Sequence, residues 1–536
     1  ISMVAILIIY FKSVTGVILP IISTLFSAVW SFGVAAIIGW NFDPLILIVP
    51  LLISARTLSH SVQFIQRYYE VYVKVQDKIE SSKIAFKSLF TPGLLGILMD
   101  VVGILIIVLT PIPIMQKLAV ICGYWAMSIV VSVLIVDPML ICFMPIPSNI
   151  KKLVDHESKG ILKKYIDIFS SKIILKKYAV SVLIITTIVS IVCVIYSVKE
   201  VKIGDVSSGS PLFPENSPYN ISNVEINKSF LGTEQLFIIV EGTKPGIIRD
   251  SEVMRTIMDF EHYLLSVPGV GGTVSIADMP GIMNRVMHDG DPKYEYIPRE
   301  NYDVGNLMFM LTSSSSPSDF DLYKTRDDST ANLIVWVRDH KGETIRKLMA
   351  TVNDYIDKFG RKLGSKINFK LASGNIGVLA AVNDAVEQSQ LQIWIILLIA
   401  IIILCGLTYQ SITAAIILLI PLGVAQFLTT TYMGIKGISL NINTLPVSSV
   451  GIGVGIDYGI YLLSRICEEY QKNGGDYDLS IKDSLGTTGK AIIITASTLV
   501  LSLIPWFYSP LKFQAEMGLI LMLLMLINMF TAVLLI

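Results

Sequence analysis

The chain has few charged residues for its length. Of its 536 residues only 16% are charged and 53% are hydrophobic, whereas soluble domains carry about a quarter charged residues. This deficit excludes a set of soluble domains and predicts an α-helical multi-pass membrane protein. Ten apolar runs are long enough to cross a bilayer. Together with a shorter run that opens the chain, they lie at 1–10, 15–39, 43–66, 92–110, 118–137, 178–198, 390–408, 412–434, 442–466, 489–508 and 515–536.

Several chemical signatures are also missing. The five cysteines lie in or beside apolar runs and form no CxxC pair, which excludes a recognisable disulfide framework or zinc site. No GxxxxGK[ST] motif is present, so ATP is not indicated as an energy source. No hydrolytic constellation indicates an enzyme. We therefore expect no cofactor, no metal and no nucleic-acid partner.

The net charge is zero, but the charges are unevenly distributed. Residues 198–388 contain 26 acidic and 20 basic side chains, and the rest of the chain contains 16 and 22. Outside 198–388 the basic residues cluster in alternate loops, at 67–87, 151–177 and 465–490. By the positive-inside rule these loops are cytoplasmic, which places 198–388 on the outer side.

The chain contains an internal repeat. A shift of 398 residues aligns 11–15 with 409–413, Gly39 with Gly437 and Arg67 with Arg465. Both copies keep the same direction across the membrane, so this is a parallel repeat. The first residue is Ile and both ends lie in apolar runs. We therefore expect a fragment of a longer protein whose first helix and first outer domain lie upstream.

Residues 198–388 are predicted to form an α+β domain. Strand patterns at 236–241 and 272–276 flank an amphipathic helix at 251–266, with Ser251 as its N-cap. The same order recurs as a strand at 331–337, a helix at 344–359 and a strand at 366–371. Two β-α-β units packed in two layers predict a ferredoxin-like arrangement.

One carboxylate, Asp457, lies in the middle of an apolar run. A charged side chain at the centre of a bilayer costs about 3 kcal/mol on insertion scales, and such residues usually face a protein interior and carry function. Glycines let a neighbouring helix approach closely, and we assign that packing role to Gly451, Gly453, Gly455 and Gly459. The segment is predicted to be a central helix with a proton- or ion-coupling site.

The repeat places different chemistry opposite Asp457. Its counterpart is Ser59, followed by His60, and Arg56 lies four residues before His60 on the same helical face. A further acid, Asp100, lies mid-span. If the central helices pack face to face, Arg56 can pair with Asp457 or Asp100, and protonation of the acid releases the arginine. A purely structural ion pair and a satisfied core histidine stay open as alternatives.

Two other groups of residues are given different roles. Asp137 lies near the cytoplasmic end of its apolar run and is predicted to be an interfacial cap, with a place in the proton pathway as the alternative. Histidines in polar segments, including His340, are predicted to be surface residues.

Residues 451–465 closely resemble the tenth-helix motif of resistance-nodulation-division (RND) exporters of the mycobacterial membrane protein large (MMPL) type, and residues 212–219 also resemble that family. The resemblance implies about eleven of twelve RND helices and one periplasmic porter domain. It divides the chain into a first-half bundle, a cytoplasmic amphipathic linker, helix 7, a porter domain and a second-half bundle, at 1–145, 146–177, 178–197, 198–388 and 389–536.

The resemblance also implies function. It suggests a bacterial inner-membrane exporter of lipids or other amphiphiles, driven by the proton-motive force, with its large domain in the periplasm. The family's Asp-Tyr relay pair corresponds to Asp457 and Tyr458, whereas Ser59 and His60 replace the first-half pair. That departure favours one relay built from Asp457, with Arg56, His60 and Asp100 as its candidate partners.

Two other functions fit the same fold: a lipid- or sterol-sensing protein that does not pump, and an accessory to protein translocation. The expected partners are protons, membrane lipids and a lipid or amphiphilic substrate. Homo-oligomerisation and a periplasmic or accessory partner stay open.

Overall fold

The computed structural model describes residues 2–41, 44–148, 150–151, 176–359 and 366–536. The chain divides into two compact units, one of Ile1–Val201 with Ala385–Ile536 and one of Lys202–Asp384. Most of the predicted cytoplasmic linker at 146–177 lies outside the described residues.

The first half of the larger unit consists of helices that follow the predicted apolar runs. Side chains cap the starts of two of them: Ser13 accepts a hydrogen bond from Gly16 N, and Asp77 accepts one from Glu80 N. The helices are α1 Ser2–Phe11, α2 Val14–Ile38, α3 Pro44–Val75, α4 Lys78–Leu105, α5 Pro113–Ile129, α6 Asp137–Phe143 and α7 Lys176–Glu200. A π-helical segment, Val130–Val136, joins α5 to α6.

The smaller unit is a four-stranded antiparallel sheet with helices. Its strands are β1 Glu234–Gly242, β2 Val270–Val274, β3 Thr330–Val337 and β4 Ile367–Ser373, in the spatial order β2-β3-β1-β4. Its helices are α8 Pro218–Ser229, α9 Ser251–Leu265, α10 Asp278–Met287, α11 Asn301–Ser313 and α12 Gly342–Phe359. The α+β prediction is confirmed, and the finer ferredoxin-like assignment stays a prediction that this strand order supports.

The core of the smaller unit follows from alternation along its strands. Leu236, Ile238 and Val240 of β1 are buried, and Leu236 pairs with Val335 of β3, so one sheet face packs on the helices. One helix end differs from the prediction. Asp250, not Ser251, is the N-cap of α9, because its carboxylate accepts hydrogen bonds from the first backbone N–H groups of the helix.

The remaining helices form the second half of the chain. They are α13 Gly374–Tyr409, α14 Ile412–Lys436, α15 Leu445–Lys472, α16 Tyr477–Ser484, α17 Lys490–Leu503 and α18 Lys512–Leu535. Within the described ranges, nine helical segments are long and apolar enough to cross a membrane. Helices α1 and α3 lie at the two other predicted apolar runs. The prediction of a multi-pass helical membrane protein is confirmed.

The repeat is visible in the backbone itself. Lys12 and Gln410, 398 residues apart, both have positive φ angles, of 47° and 48°. Ser13 and Ser411 then cap α2 and α14. Both helices end at a left-handed glycine at corresponding positions, Gly39 and Gly437, as αL caps require. The same local signals therefore start and stop the same helix twice.

Glu261 is a titratable group within the core of the smaller unit. It is buried on α9, and its pKa is raised to about 8 by burial and by the negative charge of Asp278, against a hydrogen bond from Ser275. In an unfolded chain this glutamate ionises near pH 4.5. The folded unit therefore binds the extra proton, and its stability falls as pH rises from about 4.5 to 8.

Glu261→Gln is expected to remove this pH dependence. At pH 8 the free energy of opening, measured at the amides of the sheet, should be at least about 1.4 kcal/mol higher in the variant than in the unmodified protein, which corresponds to a pKa difference of one unit. At pH 4.5 the two proteins should differ little. Hydrogen exchange of the full chain, corrected for intrinsic rates, measures both values. Exposed Glu252→Gln on the same helix is the matched control. An unchanged pH slope in Glu261→Gln would contradict the assignment.

Candidate functional site

Four ionisable side chains meet inside the larger unit. Helix α3 supplies Arg56 and His60, one turn apart, helix α4 supplies Asp100, and helix α15 supplies Asp457. Their exposures are 3%, 3%, 4% and 1%. All four were identified from the sequence, and the structure brings them together into what we call the buried cluster. Their role in coupling stays a prediction.

Arg56 bonds both acids at once. Its Nε and Nη2 donate to Oδ2 of Asp100 at 2.9 and 2.8 Å, and Nη2 also donates to Oδ2 of Asp457. Asp100 belongs to the same half of the chain as Arg56, and Asp457 belongs to the other half. One guanidinium therefore ties the two repeats together through charge-assisted hydrogen bonds.

His60 completes the buried cluster on the side of Asp457. Its Nε2 lies 3.4 Å from Oδ2 of Asp457 and 3.8 Å from Oδ2 of Asp100. Its Nδ1 lies 3.1 Å from the hydroxyl of Tyr461. The imidazole thus stands between an acid and a phenol, an arrangement in which a histidine can pass a proton from one ring nitrogen to the other.

The charges of the buried cluster do not balance without a proton. One arginine faces two carboxylates, so the cluster has a net charge of −1 when both acids are ionised and His60 is neutral. Unbalanced charge in a low-dielectric interior is costly. A single proton on either acid or on His60 makes the cluster neutral. The arrangement can therefore bind and release one proton.

Glycines let the acids approach each other. A Cβ at Gly453 would lie 3.2 Å from the carbonyl of Met99 and 3.3 Å from Cα of Asp100, and one at Gly96 would overlap the carboxylate of Asp457. Helices α4 and α15 therefore pack almost backbone to backbone. The other three predicted packing glycines of α15 face different neighbours, with Gly451 against Leu524, Gly455 against Asn528 and Gly459 against Leu418.

Two predicted site residues are not bonded to the buried cluster. The ring of Tyr458 is buried against a second-half core that includes Leu462 and Met529. Ser59 instead lines a small cavity with Leu7 and Thr495. Neither hydroxyl has a hydrogen-bond partner among the described residues. The inclusion of Ser59 and Tyr458 in the proton-coupling site therefore stays a prediction.

Tyr461 is the member of the site that sequence analysis missed. It follows Asp457 by four residues and therefore lies on the same face of α15, and that spacing was the available signal. The resembled motif contains an Asp-Tyr pair, which predicts Tyr458 as the relay tyrosine instead. The structure places the phenol that contacts His60 one turn further along.

Two expectations outside the buried cluster are corrected. Asp137 is fully buried and accepts a hydrogen bond from Ser23, because the turn that begins α6 lies against α2, so it is no interfacial cap. His340 is buried in the smaller unit, where its Nδ1 lies 3.1 Å from Oε1 of Glu234. Burial lowers the pKa of His340, but the hydrogen bond and charge of Glu234 outweigh it and hold this pKa above its ordinary value.

The buried cluster also contains atoms that can ligate a metal. One ligand atom each from His60, Asp100 and Asp457 lies within 4.8 Å of the others. The guanidinium of Arg56, however, already bonds both acids. A cation at this position would meet the positive charge of Arg56. The donor set fits a proton better than a resident metal ion.

Comparison with known proteins adds to this geometry. The model of the MMPL family matches residues 251–536. A protein of Methanocaldococcus jannaschii, described as a membrane protein, is 23% identical over 339 residues, which cover 62% of this chain and 83% of that protein.

Two named exporters are also similar. The sulfolipid-1 exporter MmpL8 of Mycobacterium tuberculosis is 24% identical over 225 residues, 41% of this chain and 20% of that protein. The trehalose monomycolate exporter MmpL3 of Mycolicibacterium smegmatis is 31% identical over 67 residues, 12% of this chain and 6% of that protein. The matches span a fifth or less of either exporter.

Proposed function

Because the chain belongs to the MMPL family, we propose that it is part of an exporter that moves lipids or other amphiphiles and is driven by the proton-motive force. Membership of the family was expected from residues 451–465 and is confirmed. The relatives named as exporters support a transporter rather than an enzyme. Their named cargoes, a sulfolipid and trehalose monomycolate, support a lipid as the substrate class.

One observation carries the coupling proposal: Arg56 bonds an acid from each half of the chain. When Asp457 takes a proton, it loses its charge, and its attraction to Arg56 falls. Arg56 then keeps Asp100, the partner within its own half, and the contact between the halves weakens. A proton thereby shifts the equilibrium between two packings of the halves, which is how a ligand with different affinity for two states drives a conformational change.

The orientation of the protein belongs to the same proposal. The basic segments that begin at Arg67 and Arg465, near the ends of α3 and α15, face the cytoplasm. The smaller unit faces the periplasm, as the positive-inside rule indicates. A proton that enters from the periplasm and leaves to the cytoplasm then provides the energy for export. The bacterial inner membrane is the proposed location.

Asp457→Asn is expected to abolish proton-coupled transport. The amide cannot ionise, so the charge on which the switch depends is lost, while the size of the side chain hardly changes. Proton flux and lipid movement are measured together in liposomes that contain the full-length protein. Asp137→Asn is the matched control, since Asp137 is equally buried but bonds Ser23.

Transport by Asp457→Asn at the wild-type rate would contradict the coupling proposal. Lipid binding that survives both this substitution and an uncoupler, with no transport in the unmodified protein, would favour a lipid sensor instead.

A further inference from the structure

A polar cavity lies next to the buried cluster. Its volume is about 440 Å³. Helices α3, α4 and α15 line it, together with the first residues of α17 and the threonines just before them, Thr487 and Thr488. At about 30 Å³ per water molecule in the liquid, it has room for several waters. Its lining includes charged and amide side chains, among them Gln63, Gln66 and Lys87. These side chains can hydrogen-bond water inside the cavity.

The repeat supplies matching charges to this cavity. Arg67 and Glu70 on α3 correspond to Arg465 and Glu468 on α15 after the shift of 398 residues, and all four line the cavity. Arg67 lies 3.0 Å from Glu70 and 3.3 Å from Glu468, so these charges also join the halves. Arg67 and Arg465 lie near the ends of α3 and α15 that lead into the basic segments 67–87 and 465–490. The cavity therefore lies toward the predicted cytoplasmic side.

Polar residues lead from these charges to the buried cluster along two helices. On α3, Gln63 lies between Arg67 and His60 at spacings of four and three residues, which keeps the three on one face. On α15 the polar residues also follow one another at spacings of four, three and four residues: Glu468, Ser464, Tyr461 and Asp457. Tyr461 both lines the cavity and hydrogen-bonds His60. It is the point where the cavity meets the buried cluster.

We propose that this cavity is the aqueous end of the proton route and that Tyr461 passes protons between His60 and water in the cavity. The inference rests on the proposed proton coupling and identifies the route on the cytoplasmic side. It assigns the relay phenol to Tyr461, one turn beyond the Tyr458 of the resembled motif. The hydroxyl of Tyr461, not that of Tyr458, contacts the imidazole.

The transfer is balanced as a single proton. The carboxyl proton of Asp457 moves to Nε2 of His60, the proton on Nδ1 moves to the oxygen of Tyr461, and the phenol proton moves to water. Tyr461 ends unchanged, Asp457 ends ionised and paired with Arg56, and one proton has left the buried cluster. His60 ends as its other neutral tautomer, with its proton on Nε2.

Tyr461→Phe is expected to lower proton flux by at least about tenfold, a conservative figure for loss of a positioned proton donor. The phenyl ring keeps the packing, so thermal stability and lipid binding should stay at wild-type values. Tyr68→Phe is the matched control, since Tyr68 is a fully buried tyrosine of α3 whose hydroxyl has no partner among the described residues. Proton flux of the unmodified protein, Tyr461→Phe, Tyr68→Phe and Asp457→Asn is compared in liposomes.

The outcomes separate the route from the proposed function. Wild-type flux in Tyr461→Phe, together with loss of flux in Asp457→Asn, overturns the route and leaves proton coupling intact. Wild-type flux in both variants overturns proton coupling itself. Loss of flux in both, with Tyr68→Phe unaffected, supports the route.

Access of water to the cavity is tested by thiol labelling. Thr488→Cys, in a background with Cys467→Ser, places a thiol in the cavity lining. A water-soluble, membrane-impermeant methanethiosulfonate should label it in inside-out vesicles and not in right-side-out vesicles. Buried Thr495→Cys is the control and should stay unlabelled. Labelling of Thr488→Cys only from the opposite side, or from neither side, would overturn the cytoplasmic route.

Discussion

Arg56→Leu should cost about 3 to 5 kcal/mol of stability, the range found when one partner of a buried ion pair is removed, and should abolish transport. Without the guanidinium, Asp100 and Asp457 lose their cation and face each other as like charges in a site with almost no exposure. Thermal unfolding of the purified protein in detergent measures the loss of stability. Proton flux in liposomes measures the loss of function.

Two companion variants separate structure from function. Arg56→Lys keeps the positive charge but replaces the planar guanidinium, which can bond two acids at once, with a single ammonium group. Its stability should therefore lie between that of Arg56→Leu and that of the unmodified protein. A triple variant, Arg56→Leu with Asp100→Asn and Asp457→Asn, removes the unpaired charges. It should be more stable than Arg56→Leu alone and still transport nothing. If the triple variant is no more stable, unpaired charge is not the cause of the instability.

Gly453→Leu is expected to force α4 and α15 apart and to destabilise the protein by at least about 3 kcal/mol, the upper part of the range for overpacked cores. A Cβ at Gly453 would already press on the backbone of Met99 and Asp100, and a leucine needs several more atoms in the same space. Asp100 would then move away from Asp457, so proton flux should be lost as well. Thermal unfolding and flux in liposomes measure both effects.

A matched glycine isolates the effect of packing. Gly406 lies on α13 with no atom within 4 Å of its ideal Cβ position, so Gly406→Leu adds the same side chain to open space and should leave flux unchanged. Gly453→Ala should fall between the two, since its neighbours need to shift by only a few tenths of an ångström. Wild-type stability in Gly453→Leu would contradict the close packing of α4 on α15.

Much of the structure of the larger unit could be predicted from patterns in the sequence. The hydropathy runs located the helices, and the shift of 398 residues identified the repeat that Ser13 and Ser411 later showed at the backbone level. Within the smaller unit, the sequence pattern predicted the four strands and two of the helices, α9 and α12, but not α8, α10 or α11.

The buried cluster was predicted in part. Arg56, His60, Asp100 and Asp457 were identifiable because an ionisable side chain in an apolar run is rare and costly. Tyr461 was not, since a tyrosine within such a run is unremarkable until a partner is known. Ser59 was included by symmetry with Asp457, yet symmetry in sequence does not fix which neighbour a side chain meets.

The sequence by itself determined the class of protein, the repeat, the family and the four ionisable residues at membrane depth. The class, the family and the ionisable residues follow from composition, hydropathy and motif, and the repeat follows from comparing the two halves of the sequence, so none of them requires knowing which side chains touch. Only the tertiary structure decided that Arg56 bonds both acids at once and that Tyr461 joins His60 to a polar cavity. The Arg56–Asp457 and His60–Tyr461 contacts each link residues 401 positions apart, and the distance between the two acids depends on how closely glycines let α4 and α15 pack.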